Sequence, residues 1–307
     1  MMEQRAAQRK DRLLFFLCLA SFLLLLAFPA VTGAGVRAGL DLCYRAVIPS
    51  VFPSLVLTEL LFSRPLRRIE RTLGRLFHSA FGVSPRGAVA WIAGLLSGFP
   101  VGAVTVAADV REGRLSREEG EYLLSFVNNT GPAFLVGGIG LGLFGSVRLG
   151  WTLYLLQIPV SLAVALLFRP KRPFPTVVSA PSVPAHADPV RAIVRAAETC
   201  VRIAGFVCIF SVATSLLSAF FSDGLPLAFL SSLLEVGNGA HRAAILPFPF
   251  PAFPLLAFSV CFSGLSVHFQ TLSVLKEAGI PTATYLKGKT ASGALAFLLS
   301  LLLSLTK

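Results

Sequence analysis

Residues 87–110 read GAVAWIAGLLSGFPVGAVTVAADV, an apolar run interrupted at Ser97-Gly98-Phe99-Pro100-Val101-Gly102-Ala103. Residues 122–144 are interrupted in their turn by Asn128-Asn129-Thr130-Gly131-Pro132, after a mixed-charge turn at residues 111–121. A cleaner apolar run, about 151–168, then leads to Arg169, Lys171 and Arg172. Upstream, Arg64, Arg67, Arg68, Arg71, Arg75 and Arg86 face Glu70 alone. Short loops this basic stay cytoplasmic. With both basic ends on one side, only one interrupted segment can cross completely, and the other must enter and leave on the same side. Parity thus predicts a re-entrant hairpin, with Pro100 and Pro132 at tips or broken centres that face each other across the interior.

Composition agrees with a chain that lives in lipid. The 307 residues are 55% hydrophobic and only 14% charged, with a mean hydropathy of +0.76. A soluble globule carries about 25% charge, so a soluble enzyme is excluded. The formal net charge is +12, but the basic residues flank apolar runs and read as topology markers, not as a nucleic-acid grip. Cys18, Cys43, Cys200, Cys208 and Cys261 stand in or beside apolar runs without a CxxC pair, and read as small buried hydrophobes. The weakly apolar stretches, about 63–86 and 169–188, are too short for a soluble domain. Function must sit in or against the membrane.

Working outward, Arg5, Arg9, Lys10 and Arg12 precede the apolar residues 13–28, which read as a retained membrane anchor or a signal peptide, the N-terminus starting in the cytoplasm. Pro49 and Pro53 argue against a straight helix at the start of residues 46–62. Residues 170–189, rich in Pro, Ser and Ala, read as a cytoplasmic linker. The division expected is an anchor at 1–32, a first helical half at 33–169, the linker at 170–189 and a second half at 190–307. In the second half, residues 227–236 end in Glu235-Val236-Gly237-Asn238-Gly239, and a proline-studded run feeds Ser263-Gly264-Leu265-Ser266-Val267-His268-Phe269-Gln270. Cys43-Tyr44-Arg45 matches Cys200-Val201-Arg202, and Ser97-Gly98 matches Ser263-Gly264, in the same order in each half. The fold expected is therefore all-α: a polytopic helical membrane protein with re-entrant or broken helices and a two-fold internal repeat. Lys287, Lys289 and Lys307 bracket the last helix and place the C-terminus on the cytoplasmic side as well.

Hydrocarbon tolerates free backbone groups only where protein, water or a ligand takes them up. The breaks therefore imply an interior polar site. Gly98, Pro100, Gly102, Gly131, Pro132, Gly237, Gly239 and Gly264 mark the hairpin breaks. Ser97, Asn128, Asn129, Glu235, Asn238, Ser263, His268 and Gln270 are the side chains expected to line one solute site, since burying such groups singly costs about 1–3 kcal/mol each. Thr130 reads as a cap for the helix that begins at Pro132. For Glu235 the competing reading is a helix end in interfacial water near Asp223 and Arg242. For His268 it is a satisfied structural histidine, and Arg202 reads as snorkelling or paired with Glu198. Glycines 137, 138, 140, 142 and 145 read as helix packing. There is no GxxxxGK[ST], GxSxG or HExxH, and His78, His186, His241 and His268 are dispersed, so no catalytic residue, metal or cofactor is expected.

As a set, the four motifs resemble the signatures of the sporulation integral membrane protein family YlbJ, over about residues 41–307. That family belongs to the nucleoside-recognition, or Gate, domain proteins, which share modules with the ferrous-iron permease and the concentrative nucleoside transporters. The resemblance implies a carrier of a small polar solute needed for spore cortex formation, in the mother-cell-derived membrane around the forespore. Its expected partners are the lipid bilayer, that solute, and a second copy or other spore-envelope membrane proteins; nucleic acid is not expected. A non-transporting scaffold for cortex assembly and an intramembrane hydrolase are the alternatives. Val236-Gly237-Asn238 departs from the Thr-Asn pair that often follows the family's acid, and the chain is shorter than many members.

Overall fold

The computed structural model describes residues 2–62, 67–175 and 188–305. Most of the linker, Arg64, His186 and Lys307 lie outside them. The described residues form helices and turns, with no strand among them. In order these are α1 (Met2–Ala27), α2 (Pro29–Leu42), a π-helical segment π1 (Cys43–Val47), α3 (Ile48–Phe62), α4 (Arg67–Phe81), α5 (Pro85–Ser97), α6 (Val101–Arg111), α7 (Arg117–Leu124), a second π-helical segment π2 (Ala133–Leu143) and α8 (Val147–Leu167). The second half holds α9 (Pro189–Ser218), α10 (Leu225–Leu234), α11 (Val236–Ala243), α12 (Ala252–Phe262), α13 (Gly264–Glu277) and α14 (Ala283–Leu305). Among the described residues, five stretches are long and apolar enough to cross a membrane: Pro29–Phe62, Val147–Leu167, Pro189–Ser218, Ala252–Glu277 and Ala283–Leu305.

Local chemistry sets the starts and breaks. Asp188 accepts hydrogen bonds from the amides of Val190 and Arg191, and Pro189 fills the first position of α9. Ser116 accepts from the amide of Glu119 to open α7, and Ser146 from that of Leu149 to open α8. α5 opens on Pro85 and stops at Gly98, whose φ of 82° lies in the left-handed region. Pro49 and Pro53 remove two amide donors from the 29–62 stretch, and the π-helical turn at Cys43–Val47 lies just before them. The departure from a straight α-helix falls where the prolines predict it.

Contacts sort the helix ends onto two faces. Glu59 near the end of α3 pairs with Arg195 at the start of α9 at 2.9 Å. Arg169, after α8, donates to the carbonyl of Ser79 at 2.9 Å, and Arg86 at the start of α5 bonds Glu70 of α4 at 3.0 Å and Asp109 of α6 at 2.9 Å. Arg111 approaches Glu277 at the end of α13, and Thr284 at the start of α14 donates to Glu121. All of these lie on one arginine-rich face. The opposite face is marked by Asp223 with Arg242, Phe28 against Phe220, and Phe144 against Phe248.

Tracing the chain between the faces gives an inverted repeat. The first half runs to the arginine-rich face through α2–α3, sends α5–α6 in and back as a hairpin, crosses through the broken pair α7–π2, and returns through α8. The second half crosses away through α9, sends α10–α11 in and back from the opposite face, returns through α12–α13, and leaves through α14. Each half is thus a span, a hairpin, a broken helix and a span, in opposite orientation. Two sequence expectations need correction. Ser97-Gly98 lies at a hairpin tip, whereas Ser263-Gly264 breaks a helix that runs through, so the topological counterpart of Ser97-Gly98 is Glu235. The end of α14, at Leu305, lies on the face opposite the arginines, against the expectation that the chain ends on their side. Lys289 is buried, not interfacial, and so marks no membrane face.

Packing fixes this trace. α2 lies on α9 through Gly35 and Gly39, where an added Cβ would stand 2.7 Å from the Cα of Val212 and 2.8 Å from that of Cys208. Phe77 and Phe81 bury one side of α4 while Arg71 and Arg75 stay exposed, as an interfacial helix requires. At the base of the first hairpin Asp109, 1% exposed, also bonds Arg114 at 2.7 Å. Asp109→Ala removes the buried carboxylate the two arginines share, leaving Arg86 with Glu70 and Arg114 with Glu112. The expected loss is about 3 kcal/mol, the low end for a broken buried pair, because the two arginines keep side-chain exposures of 28% and 19%. Thermal unfolding in detergent checks it, with a smaller loss expected for Glu70→Ala, whose partner Arg86 retains Asp109.

Candidate functional site

The four breaks meet at the centre. The first tip touches the first break: a Cβ on Gly98 would stand 2.5 Å from the amide nitrogen of Gly131, and one on Gly131 would stand 2.9 Å from the carbonyl oxygen of Ser97. Pro100 and Pro132 thus flank facing elements, as parity predicts. The second tip touches the second break, where a Cβ on Gly264 would stand 3.2 Å from the amide nitrogen of Glu235. Cross-links join the halves: Thr130 Oγ1 donates to the carbonyl of Val260 at 3.0 Å, and Asn128 Nδ2 to Thr271 Oγ1 at 3.0 Å. Ser263 holds the second break at φ 80°, a left-handed conformation that a non-glycine residue adopts only where its surroundings enforce it.

A cavity of about 30 Å³ lies between the tips, lined by Ser97, Gly98, Phe99, Thr130, Gly131, Glu235, Val236 and Gln270, with Ser50 and Ser54 from α3 and apolar residues of α9. It holds a water or a bare ion, not a metabolite. Glu235 is 3% exposed, and its Oε2 accepts from the amide of Asn238 at 2.6 Å, capping α11. Burial rules out the interfacial-water reading of Glu235; Asp223 and Arg242 pair with each other instead. Gln270 donates weakly to Ser266 Oγ at 3.4 Å, and its buried Oε1 has no hydrogen-bond partner among the described residues.

Ser97, Glu235 and Gln270 therefore line one cavity; the other five expected residues do not. Asn129 donates to the carbonyl of Phe126 at 2.9 Å, Asn238 to Ser211 Oγ at 2.7 Å, and Ser263 to the carbonyl of Val260 at 3.4 Å. Asn128 and His268 belong to a neighbouring polar cluster. There Lys289 Nζ donates to the carbonyl of Asn128 at 3.0 Å and His268 Nδ1 meets the Tyr285 hydroxyl at 2.9 Å, while Asn128 Oδ1 and His268 Nε2 have no partner among the described residues. Thr130 does not cap π2, because its hydroxyl is turned to Val260. Arg202 is exposed on α9, consistent with snorkelling. Of the glycines read as packing residues, Gly140 closes on Gly150, while Gly137 and Gly145 meet nothing within 4 Å.

Three residues that hold the site went unread in the sequence. Gln157 of α8 accepts from the amide of Thr130 at 3.0 Å and donates to its carbonyl at 2.7 Å, satisfying both backbone groups of the unwound segment. Thr58 accepts from Ser97 Oγ at 2.6 Å, and Lys289 was counted as a flanking charge. A glutamine inside the apolar stretch TLYLLQIPVSL was the available signal.

Hairpins entering from opposite faces, broken helices beside them and a buried carboxylate where they meet define an all-α polytopic membrane protein with an interior polar site. The chain is similar to the sporulation integral membrane protein YlbJ of Bacillus subtilis (strain 168), with 27% identity over 335 aligned positions covering 94% of this chain and 82% of that protein. This likeness supports the YlbJ family assignment that the four motifs carry. No family model matches the chain, and no solved structure matches it.

Proposed function

We propose that this protein is a carrier for a small polar solute, and not an enzyme, working by movement of its two hairpins about the central junction. The observation that supports this reading best is the cavity between opposed hairpin tips, where Gln270 keeps a buried acceptor unpaired beside a buried carboxylate. Inverted repeats with discontinuous helices converging on a midplane site are the architecture on which alternating access runs. The cavity is too small for a metabolite, so the conformation described is a closed one and the solute enters when a hairpin swings. By its likeness to YlbJ, the protein serves sporulation in the membrane around the forespore, with cortex formation as the process it supplies. A scaffold needs no such space.

Purified protein in liposomes, offered a panel of small polar and anionic metabolites, tests the reading. Saturable uptake is expected for at least one solute, reduced about tenfold or more by Glu235→Gln, since removing the carboxylate deletes a charge-assisted contact of roughly 1.5–3 kcal/mol. No flux for any solute, together with normal sporulation of a strain carrying the same variant, favours the scaffold.

A further inference from the structure

The arginine-rich face gathers cations that the fold leaves without anions. Arg71, Thr72, Arg75, Leu76 and Ser79 are exposed and spaced three and four apart, so they form one stripe along α4, whose other side buries Phe77 and Phe81. Beyond α8 the chain is fastened to the end of that helix at two points: Arg169 donates to the carbonyl of Ser79 at 2.9 Å, and the amide of Phe174 donates to the carbonyl of Gly82 at 2.8 Å. Lys171 and Arg172, both exposed, lie on the short segment between these fastenings. Among the described residues none of Arg71, Arg75, Arg169, Lys171 and Arg172 is in an ion pair. Glu70 and Asp109, the acids of α4 and α6, are taken by Arg86 and Arg114, and α8 and residues 168–175 contain no acid.

Position decides what complements this corner. It stands where α8 leaves the hydrocarbon, and Leu76, Leu166 and Leu167 beside the cations are 59%, 56% and 65% exposed. A soluble anion would match the cations and offer the leucines nothing. An anionic phospholipid matches both, because its phosphodiester suits the donors of guanidinium and ammonium groups while its acyl chains lie along the leucines.

We propose that the corner between α4 and the end of α8 binds one anionic phospholipid, its phosphate held by Arg75, Lys171 and Arg172. Gly74 packs α4 on Pro85, where an added Cβ would stand 2.8 Å from the proline Cα, and Arg86 ties α5 to Glu70, so the lipid braces the base of the first hairpin. Binding does not depend on the carrier reading. Unfolding midpoints of the purified full chain are recorded in a neutral detergent at constant ionic strength, against phosphatidylglycerol, phosphatidylcholine, glycerol phosphate and polyglutamate. A ligand that binds only the folded state raises the midpoint with its concentration. The result expected is a saturable rise with phosphatidylglycerol and none with the other three. Arg75→Gln combined with Arg172→Gln should raise the half-effect concentration of phosphatidylglycerol about tenfold or more, since two cations near the phosphate are lost. Lys171→Gln with Arg172→Gln serves should the first pair fold poorly. Arg37→Gln with Arg202→Gln removes the same charge from exposed positions elsewhere and should leave the response as in wild type. No rise with phosphatidylglycerol, an equal rise with phosphatidylcholine, a response unchanged in both corner pairs, or one weakened as much by the Arg37 and Arg202 pair would each overturn the site. A rise of the same size with glycerol phosphate or polyglutamate would replace the lipid with a soluble anion.

Discussion

Gly94→Ala is expected to abolish most folded protein. Alanine is the better helix former by about 0.5–1 kcal/mol, and Gly94 sits inside α5, so propensity alone predicts a gain. Its Cβ, however, would lie 1.9 Å from the carbonyl oxygen of Val127, an atom of the main chain with no rotamer to change. Gly102 on the other arm of the hairpin faces the same oxygen, at 2.5 Å from its own added Cβ. The first hairpin thus closes its two arms around the backbone of the broken helix, and any side chain there forces the arms off it. Overpacking of this kind costs about 3 kcal/mol or more. The yield of monodisperse protein and its unfolding midpoint report the loss. Gly137→Ala is the control, since nothing lies within 4 Å of the added atom, and it should behave as wild type.

Gln157→Leu should be nearly as damaging, for a different reason. Leucine suits the apolar surroundings of α8, but it leaves the amide and the carbonyl of Thr130 buried without the partners that Gln157 supplies at 3.0 and 2.7 Å. Each unsatisfied group costs about 1–3 kcal/mol, so the pair sums to roughly 2–6 kcal/mol. Gln157→Glu is the control, because a protonated carboxyl group can accept from the amide and donate to the carbonyl, whereas an ionised one cannot donate. Unfolding midpoints in the order wild type, then glutamate, then leucine are expected once the glutamate is protonated at low pH. A leucine variant as stable as wild type would show that the unwound segment finds other partners.

The fold class was legible because lipid leaves few options: long apolar runs must be helices, and each break within them needs a polar interior. That one of the two interrupted segments turns back while the other crosses followed from counting basic loops; which of them does so did not. What the counting could not reach were contacts between residues far apart in sequence. Lys289 looks like a flanking charge in sequence, but α14 carries it against Asn128, so it says nothing of the side on which α14 ends. Ser-Gly recurs at positions 97 and 263, yet one pair turns a hairpin and the other interrupts a span, because equivalence within the repeat follows chain direction and not residue type. The site was half visible for the same reason. Glu235 and Gln270 are polar groups at breaks that do meet, whereas Asn129 and Asn238 spend their amides on nearby carbonyl and hydroxyl groups.

The carrier reading can be tested without knowing the solute. Ser54, on α3 at the cavity wall, is replaced by cysteine in a background freed of Cys18, Cys43, Cys200, Cys208 and Cys261, and the protein is placed in liposomes. A membrane-impermeant thiol reagent is then applied to one face at a time, with Leu305→Cys and Arg75→Cys as the surface controls for the two faces. Alternating exposure predicts labelling of position 54 from each face in turn, slower than the control, because the site opens to one side only while a hairpin is displaced. Failure to label from either face would contradict the carrier and leave the hairpins as packing devices, and labelling from both faces at the control rate would replace it with an open pore.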